Sequence, residues 1–289
     1  MSRWWGNLLP GQRLRVELRP ASVGLVRRGL VQRSRVHSSR TIPVEVAAGS
    51  RENPSESWRA AVDALTAALR EPRGRIEIVL SDHFVRYLLI PWSKELVGDS
   101  ERLGFARMAF RDLYGHLADG WDLCMDEQPA GQASFACAVD RALASSLREL
   151  VARAGGQLAA LTPSLADCIN RHRSAFNTGE FCFAAAEPGR VSLAVRSHAG
   201  WQAVRSRRVD GPLAETLPTL LKQEIAVGEA TEGGVLYLCT DDAPGMGAFT
   251  VPGWRVVRLA ERGIFTRPAV DPQLGPGLNT TFDTGAFGP

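Results

Sequence analysis

The feature that most constrains this fold is a repeat of element order rather than of residues. Residues 14–19, Leu-Arg-Val-Glu-Leu-Arg, alternate apolar and polar as a half-buried strand does. After the turn Pro20-Ala21-Ser22, residues 23–31 and 41–46 read as two further strands of the same meander. A polar stretch, 49–57, leads to a helix, with Ser55 as a candidate cap. Its apolar stripe is Trp58, Val62, Leu65 and Leu69, and Pro72-Arg73-Gly74 ends it. The same order recurs after Asn177-Thr178-Gly179: strands at 180–186, 191–197 and 201–209, a helix at 212–227, then apolar strands at 234–239 and 254–259. Glu187-Pro188-Gly189 and His198-Ala199-Gly200 mark the second pair of hairpin turns. A chain that repeats meander, helix and strand predicts two α/β lobes meeting near 175–180.

The intervening segment supplies the rest of the first lobe. Residues 76–80 and 84–90 read as strands, 100–117 as a helix, and 122–126 and 134–139 as strands around Pro129-Ala130-Gly131. The clearest helix is 140–154. Asp140 is placed to cap it, Leu143, Leu147, Leu150, Val151 and Ala154 share one face, and Gly155-Gly156 supplies the stop. A short strand at 158–161 and a helix at 164–173 follow. From 263 onward glycine and proline dominate without apolar periodicity, so 263–289 is expected to be a disordered tail.

Composition narrows the functional classes. No apolar run reaches the roughly 18 residues of a membrane-spanning helix, and the start lacks the pattern of a secretory signal. The five cysteines form no C-x-x-C pair and their odd number argues against a closed disulfide set, so buried reduced thiols are expected. The five histidines share no metal-like spacing with each other, Cys or Asp. Ser81-Asp82-His83 holds the residue types of a hydrolytic triad, but neighbours on a turn point their side chains apart. Asp241-Asp242 reads as a solvated turn. Residues 1–40 carry nine arginines and one acid, Glu17, a local +8 within a net charge of +3. Such an excess suits an anionic membrane surface, and Trp4 and Trp5 beside it suit a membrane or partner contact. A nucleic-acid binder is the alternative reading of the same basic stretch, but no recognisable motif or interleaved aromatics accompany it.

Two segments carry a family resemblance. Residues 76–91, Ile-Glu-Ile-Val-Leu-Ser-Asp-His-Phe-Val-Arg-Tyr-Leu-Leu-Ile-Pro, with Glu95 after them, resemble the strand-turn-strand of PilM-like pilus assembly proteins. The stretch from Ser134 through Asp140-Arg-Ala-Leu and Gly155-Gly156 to Ser164-Leu-Ala-Asp-Cys168 resembles the family's strand, long helix, Ala-Gly stop, strand and helix. The resemblance implies duplicated actin-like (ribonuclease H-like) lobes with mixed sheets, the first at 10–176, the second, shortened, at 177–262, and a small inserted subdomain at about 96–133. It implies a cytoplasmic scaffold of a type IV pilus or type II secretion platform, peripheral on the inner membrane face. Its partners would be the cytoplasmic tail of a bitopic membrane protein and an assembly ATPase. The shortened second lobe is similar to the cytoplasmic domain of the type II secretion L protein.

The same resemblance raises the question of ATP and magnesium. The first hairpin keeps an acid, Glu17, but Arg19-Pro20 fills its turn, and proline removes a donor that phosphate would need. The second hairpin has no Asp-x-Gly, and Thr240-Asp241-Asp242 stands where the fold's Gly-Gly turn approaches adenosine. About 24 residues, 210–233, separate the second meander from its next strand, too few for a further wall of a nucleotide pocket. The expectation is a chain without cofactor or enzymatic activity, whose vestigial cleft retains Glu17 and Asp167. An ATP-binding ATPase of the same platform is the alternative. Partner binding is expected in a groove beside the insert, at Trp92, Leu103, Phe105 and Phe110. Leu103 and Phe110 share one helix face, Phe105 lies on the other, and only one face can pack inward.

Overall fold

The computed structural model describes residues 13–28, 36–45, 58–69, 74–126, 128–176, 179–227, 233–240 and 250–260, together with Leu278 and Phe282. The first lobe opens with three strands, β1 (Arg13–Leu18), β2 (Ser22–Arg28) and β3 (Val36–Pro43), paired antiparallel. Helix α1 (Arg59–Ala68) then crosses to β4 (Gly74–Leu80), which lies parallel to β1 with Val16 beside Ile78. The sheet is completed by β8 (Gly156–Pro163), parallel to β4, giving the order β3-β2-β1-β4-β8. The second lobe repeats this order. Strands β9 (Phe181–Glu187), β10 (Arg190–Ser197) and β11 (Gly200–Arg208) form the meander. Helix α5 (Leu213–Ala226) leads to β12 (Gly234–Thr240), parallel to β9, and β13 (Trp254–Ala260) closes the sheet as β11-β10-β9-β12-β13. The duplicated architecture expected from element order is therefore present strand for strand.

Between β4 and β8 the first lobe carries an insert. Strands β5 (Val85–Ile90), β6 (Trp121–Met125) and β7 (Ser134–Asp140) make an antiparallel sheet in the order β5-β7-β6. Helix α2 (Asp99–Tyr114) and a 3-10 turn, Gly115–Gly120, cover it. The insert thus draws on both strands that flank the expected span of about 96–133. Helix α3 (Arg141–Arg153) returns the chain to β8. The Asp140 side chain accepts from Ala142 N at 2.8 Å, as the cap position predicts, and Trp58 Nε1 donates to the same carboxylate at 3.3 Å. Gly155, at φ +68°, ends the helix in the left-handed region that favours glycine. Helix α4 (Ser164–His172) then carries the chain to the second lobe.

One apolar core runs through both lobes. Leu14, Val16 and Leu18 of β1 pack with Leu65, Ile78, Leu147 and Leu161, and the same cluster includes Phe181, Phe183, Trp201 and Tyr237 from the second lobe. The Trp201 ring meets Phe135 of the insert edge-on at 5.5 Å and Phe181 at 6.1 Å. Buried aromatic contacts of this kind make the lobes one packed body.

Three expectations need correction or relocation. Strand β8 is eight residues long, twice the expected 158–161. Hydrogen bonds to β4 over its whole length extend it past its apolar residues. The proposed tail is anchored at two points. Leu278 and Phe282 are buried, Phe282 N donates to Leu161 O at 3.0 Å, and Asn170 Nδ2 donates to Leu278 O at 2.6 Å. An apolar side chain filling a gap beside the free edge of β8 needs no periodic pattern around it, so the sequence carries no sign of it. Ser55, Asp241-Asp242 and the basic start before Arg13 lie outside the described residues.

Candidate functional site

The site is the cleft between the first hairpin, the end of β4 and α4. Strand β1 is central in its sheet, so both its faces are covered. Leu14, Val16 and Leu18 take the apolar side, and Arg15 and Glu17 take the other. Arg15 is only 6% exposed, a burial that a guanidinium tolerates only when paired. Its partner comes from α4. Nη1 and Nη2 of Arg15 donate to the two oxygens of Asp167, each at 2.7 Å, a bidentate fork. Arg171, one turn later on α4, places Nε 2.8 Å from the same carboxylate. Glu17 lies 3.5 Å from Arg15 Nε and 3.5 Å from Arg19 Nη2. Burial alone would raise the Asp167 carboxyl, but Arg15 and Arg171 outweigh it and hold the group below the ordinary carboxylate range. Glu17 and Asp167, expected in the cleft, are thus brought together there within one network of three arginines and two carboxylates.

The second hairpin meets the loop that follows β4. The Ser81 hydroxyl and the Asp82 amide (3.1 Å) both donate to Glu187 at the end of β9. Gly189, at φ +77°, turns the hairpin so that Pro188 O meets His83 Nε2 at 3.0 Å. Burial and the charge of Arg190 lower the His83 pKa; a carbonyl oxygen can only accept, so Nε2 is the donor in this contact. Asp82 is fully buried. Tyr87 donates to it at 2.5 Å and the Leu165 amide at 3.1 Å. Burial, then the charge of Glu187, pushes its carboxyl up to about 7. Ser81-Asp82-His83 is therefore a lobe-to-lobe latch. Neighbours on a turn make no triad, and no sequence pattern points to a partner more than 100 residues away.

A magnesium nucleotide, the ligand this type of fold implies, does not fit these residues. The cleft lined by Arg15, Glu17, Arg19, Val79, Ser81, Ser164 and Arg171 holds about 10 Å³ of space, enough for about one water. Glu17, the acid that would hold the cation, is flanked by two guanidinium groups. The hairpin turn that would offer amides to phosphate contains Pro20, and its Arg19 amide donates to Ser22 O at 3.0 Å.

The expected partner-binding residues separate. Phe110 is fully buried in the insert core with Ala106 and Ala138, stacked on Tyr114 and edge-on to Trp121, so it cannot meet a partner. Leu103 is half-buried. Trp92 and Phe105 are 47% and 39% exposed, and Val97, Met108, Leu113 and Leu117 add further exposed apolar side chains on and beside α2. The face that packs is thus the one bearing Phe110. No helix of the described residues is long and apolar enough to cross a membrane.

No protein-family model matches the chain, and no curated protein matches it. Solved structures do. The cytoplasmic domain of EpsL, an inner membrane component of the type II secretion system of Vibrio cholerae, is similar at TM-score 0.51 and 11% identity, over 86% of each chain. The PilM-PilN type IV pilus biogenesis complex matches at TM-score 0.55 and 13% identity, over 85% of this chain and 88% of that one. A Bacteroides thetaiotaomicron protein with an actin-like ATPase fold matches at TM-score 0.55 and 10% identity, over 85% and 90%. At these identities the likeness is one of fold: the chain has the actin-like ATPase fold, α/β with two duplicated lobes.

Proposed function

We propose that this chain is a non-enzymatic scaffold of a type IV pilus or type II secretion-like assembly platform, working on the inner face of the cytoplasmic membrane. The observation that carries the reading is the filled cleft. Where a working member of the fold would need an open pocket for a nucleotide, this chain spends Arg15, Glu17, Asp167 and Arg171 on one another and seals the lobes with Ser81 and Glu187. A body made rigid in this way suits an adaptor that holds partners in register. The likeness to EpsL and to PilM in its complex supports the choice of machine. The partner is the cytoplasmic segment of a bitopic membrane protein, bound beside the insert where Trp92 and Phe105 are exposed. An assembly ATPase is a second partner, and the basic N-terminal stretch adds attraction to the membrane surface.

The test is capture of the full chain from solubilised membranes of its source, followed by calorimetric titration with Mg·ATP. Recovery of a bitopic inner-membrane protein, lost in the Trp92→Ala variant, supports the reading. Micromolar Mg·ATP binding that disappears in Glu17→Ala would replace it with the ATPase alternative. Recovery of nucleic acid with steep salt dependence would favour the basic-patch reading.

A further inference from the structure

Two cysteines that share no sequence motif meet across the lobes. Cys168 sits on α4 and Cys239 on β12, 71 positions later, and their sulfurs are 3.0 Å apart. Both are 2% exposed or less. One cation touches the pair: Arg171 Nη2 donates to Cys168 Sγ at 3.3 Å, and His172 adds to the electrostatics of Cys239. A second pair, Cys124 and Cys137, faces across β6 and β7 with the same 3.0 Å separation, and the charged groups that act most on Cys137 are the carboxylates Asp82 and Asp126. Reactivity toward oxidants follows thiolate character, which neighbouring cations and hydrogen bonds promote and apolar burial suppresses. Cys239 Sγ donates to Cys168 Sγ, and the contact between the two thiols, with further help from His172 and Arg171, brings Cys239 down to about 6 against the opposing effect of burial. Burial pushes Cys137 well above its ordinary value.

We propose that Cys168 and Cys239 form a peroxide-oxidisable dithiol that, as a disulfide, locks the second lobe to α4. Neither sulfur lines the cleft, so access from it is by way of Arg171. The cleft is sized for about one water, hydrogen peroxide is little larger, and Arg171 both lines that space and touches Cys168. The Cys239 thiolate attacks one peroxide oxygen, the O–O bond breaks, and hydroxide leaves to take up a proton, giving a sulfenic acid. The Cys168 sulfur then attacks the Cys239 sulfur. The S–S bond forms, the S–O bond breaks, and the departing hydroxide takes the Cys168 proton as water. The two thiols lose two electrons and the peroxide is reduced to two waters. The bond would hold α4, which carries Asp167 and Arg171, against the strand that begins the second half of its sheet. Oxidation therefore fixes the closed cleft.

The experiment treats the full-length native chain with a few equivalents of hydrogen peroxide near pH 7. Remaining thiols are then alkylated in denaturant and the linked peptides mapped by mass. The expected result is loss of two of the five thiols as a Cys168–Cys239 cross-link, with Cys124 and Cys137 still alkylated. The melting temperature should rise by several degrees and return on reduction. The Cys239→Ala variant should react at least tenfold more slowly at Cys168. Because mapping is done on the unaltered chain, a variant that folds poorly does not decide the outcome. Five intact thiols, a cross-link confined to Cys124–Cys137, or Cys239 passing to sulfinic acid without a cross-link would each overturn the proposal.

Discussion

Asp167→Asn tests the physical basis of the filled cleft. The carboxylate receives a fork from Arg15 at 2.7 Å on both oxygens and a third contact from Arg171 at 2.8 Å, and its side chain is 13% exposed. Removing one partner of a buried pair leaves uncompensated charge and costs about 3–5 kcal/mol. At roughly 2–4 °C per kcal/mol for a chain of about this size, the melting temperature should drop by roughly 6–20 °C. The pH dependence identifies the cause. Asp167 is depressed below its unfolded value, so its contribution is fully present above about pH 4 and is lost as pH falls through the folded value. The stability difference between wild type and variant should be flat from neutral pH to about pH 5 and shrink below about pH 4. Urea unfolding at a series of pH values measures it, and the difference between proteins cancels groups common to both. The variant also removes the one carboxylate that Arg15 and Arg171 share, so inorganic phosphate at constant ionic strength should raise its melting temperature and leave the wild type unmoved. A difference below about 1 kcal/mol, or one that does not change toward acid, would refute the assignment of this network as the element that fills the cleft.

Other expectations follow from the same contacts. Phe110→Ala should cost about 3–5 kcal/mol, because the ring is fully enclosed in the insert core. Phe105→Ala and Trp92→Ala should leave unfolding within about 0.5 kcal/mol. The same two variants should weaken membrane-partner binding by about 2 kcal/mol, roughly 30-fold, in a titration with the partner's cytoplasmic peptide. For Asp82, raised to about 7, stability from the protonated form is full below the unfolded value near 4 and lost as pH rises through about 7. Asp82→Asn should therefore gain on the wild type as pH rises from about 4 to above 7, measured by thermal unfolding. Phe282→Ala should lower stability by up to about 3 kcal/mol despite its place in a glycine- and proline-rich tail, since the ring is buried against β8.

What the sequence determined by itself is local. Alternation in 14–19 and the three- and four-residue spacing of Trp58, Val62, Leu65 and Leu69 are properties of neighbouring residues, and each produced the expected strand or helix. Asp140 as a cap and Gly155 as a stop act within one helical turn and were equally legible. The repeat of element order sufficed for the duplicated lobes because each meander, helix and strand has few ways to bury its apolar face. Tertiary structure alone decided the rest. Phe105 and Phe110 are both apolar residues of α2, and only the sheet beneath settles which is enclosed. Strand order places Arg15 under α4, where it meets Asp167 152 positions later. The same stacking of lobes brings Ser81 to Glu187 and Cys168 to Cys239. Such pairs leave no periodic trace, because a hydrogen bond or a thiol contact depends on where two distant backbones come to lie. That arrangement is set by burial of the whole core rather than by the residues that finally touch.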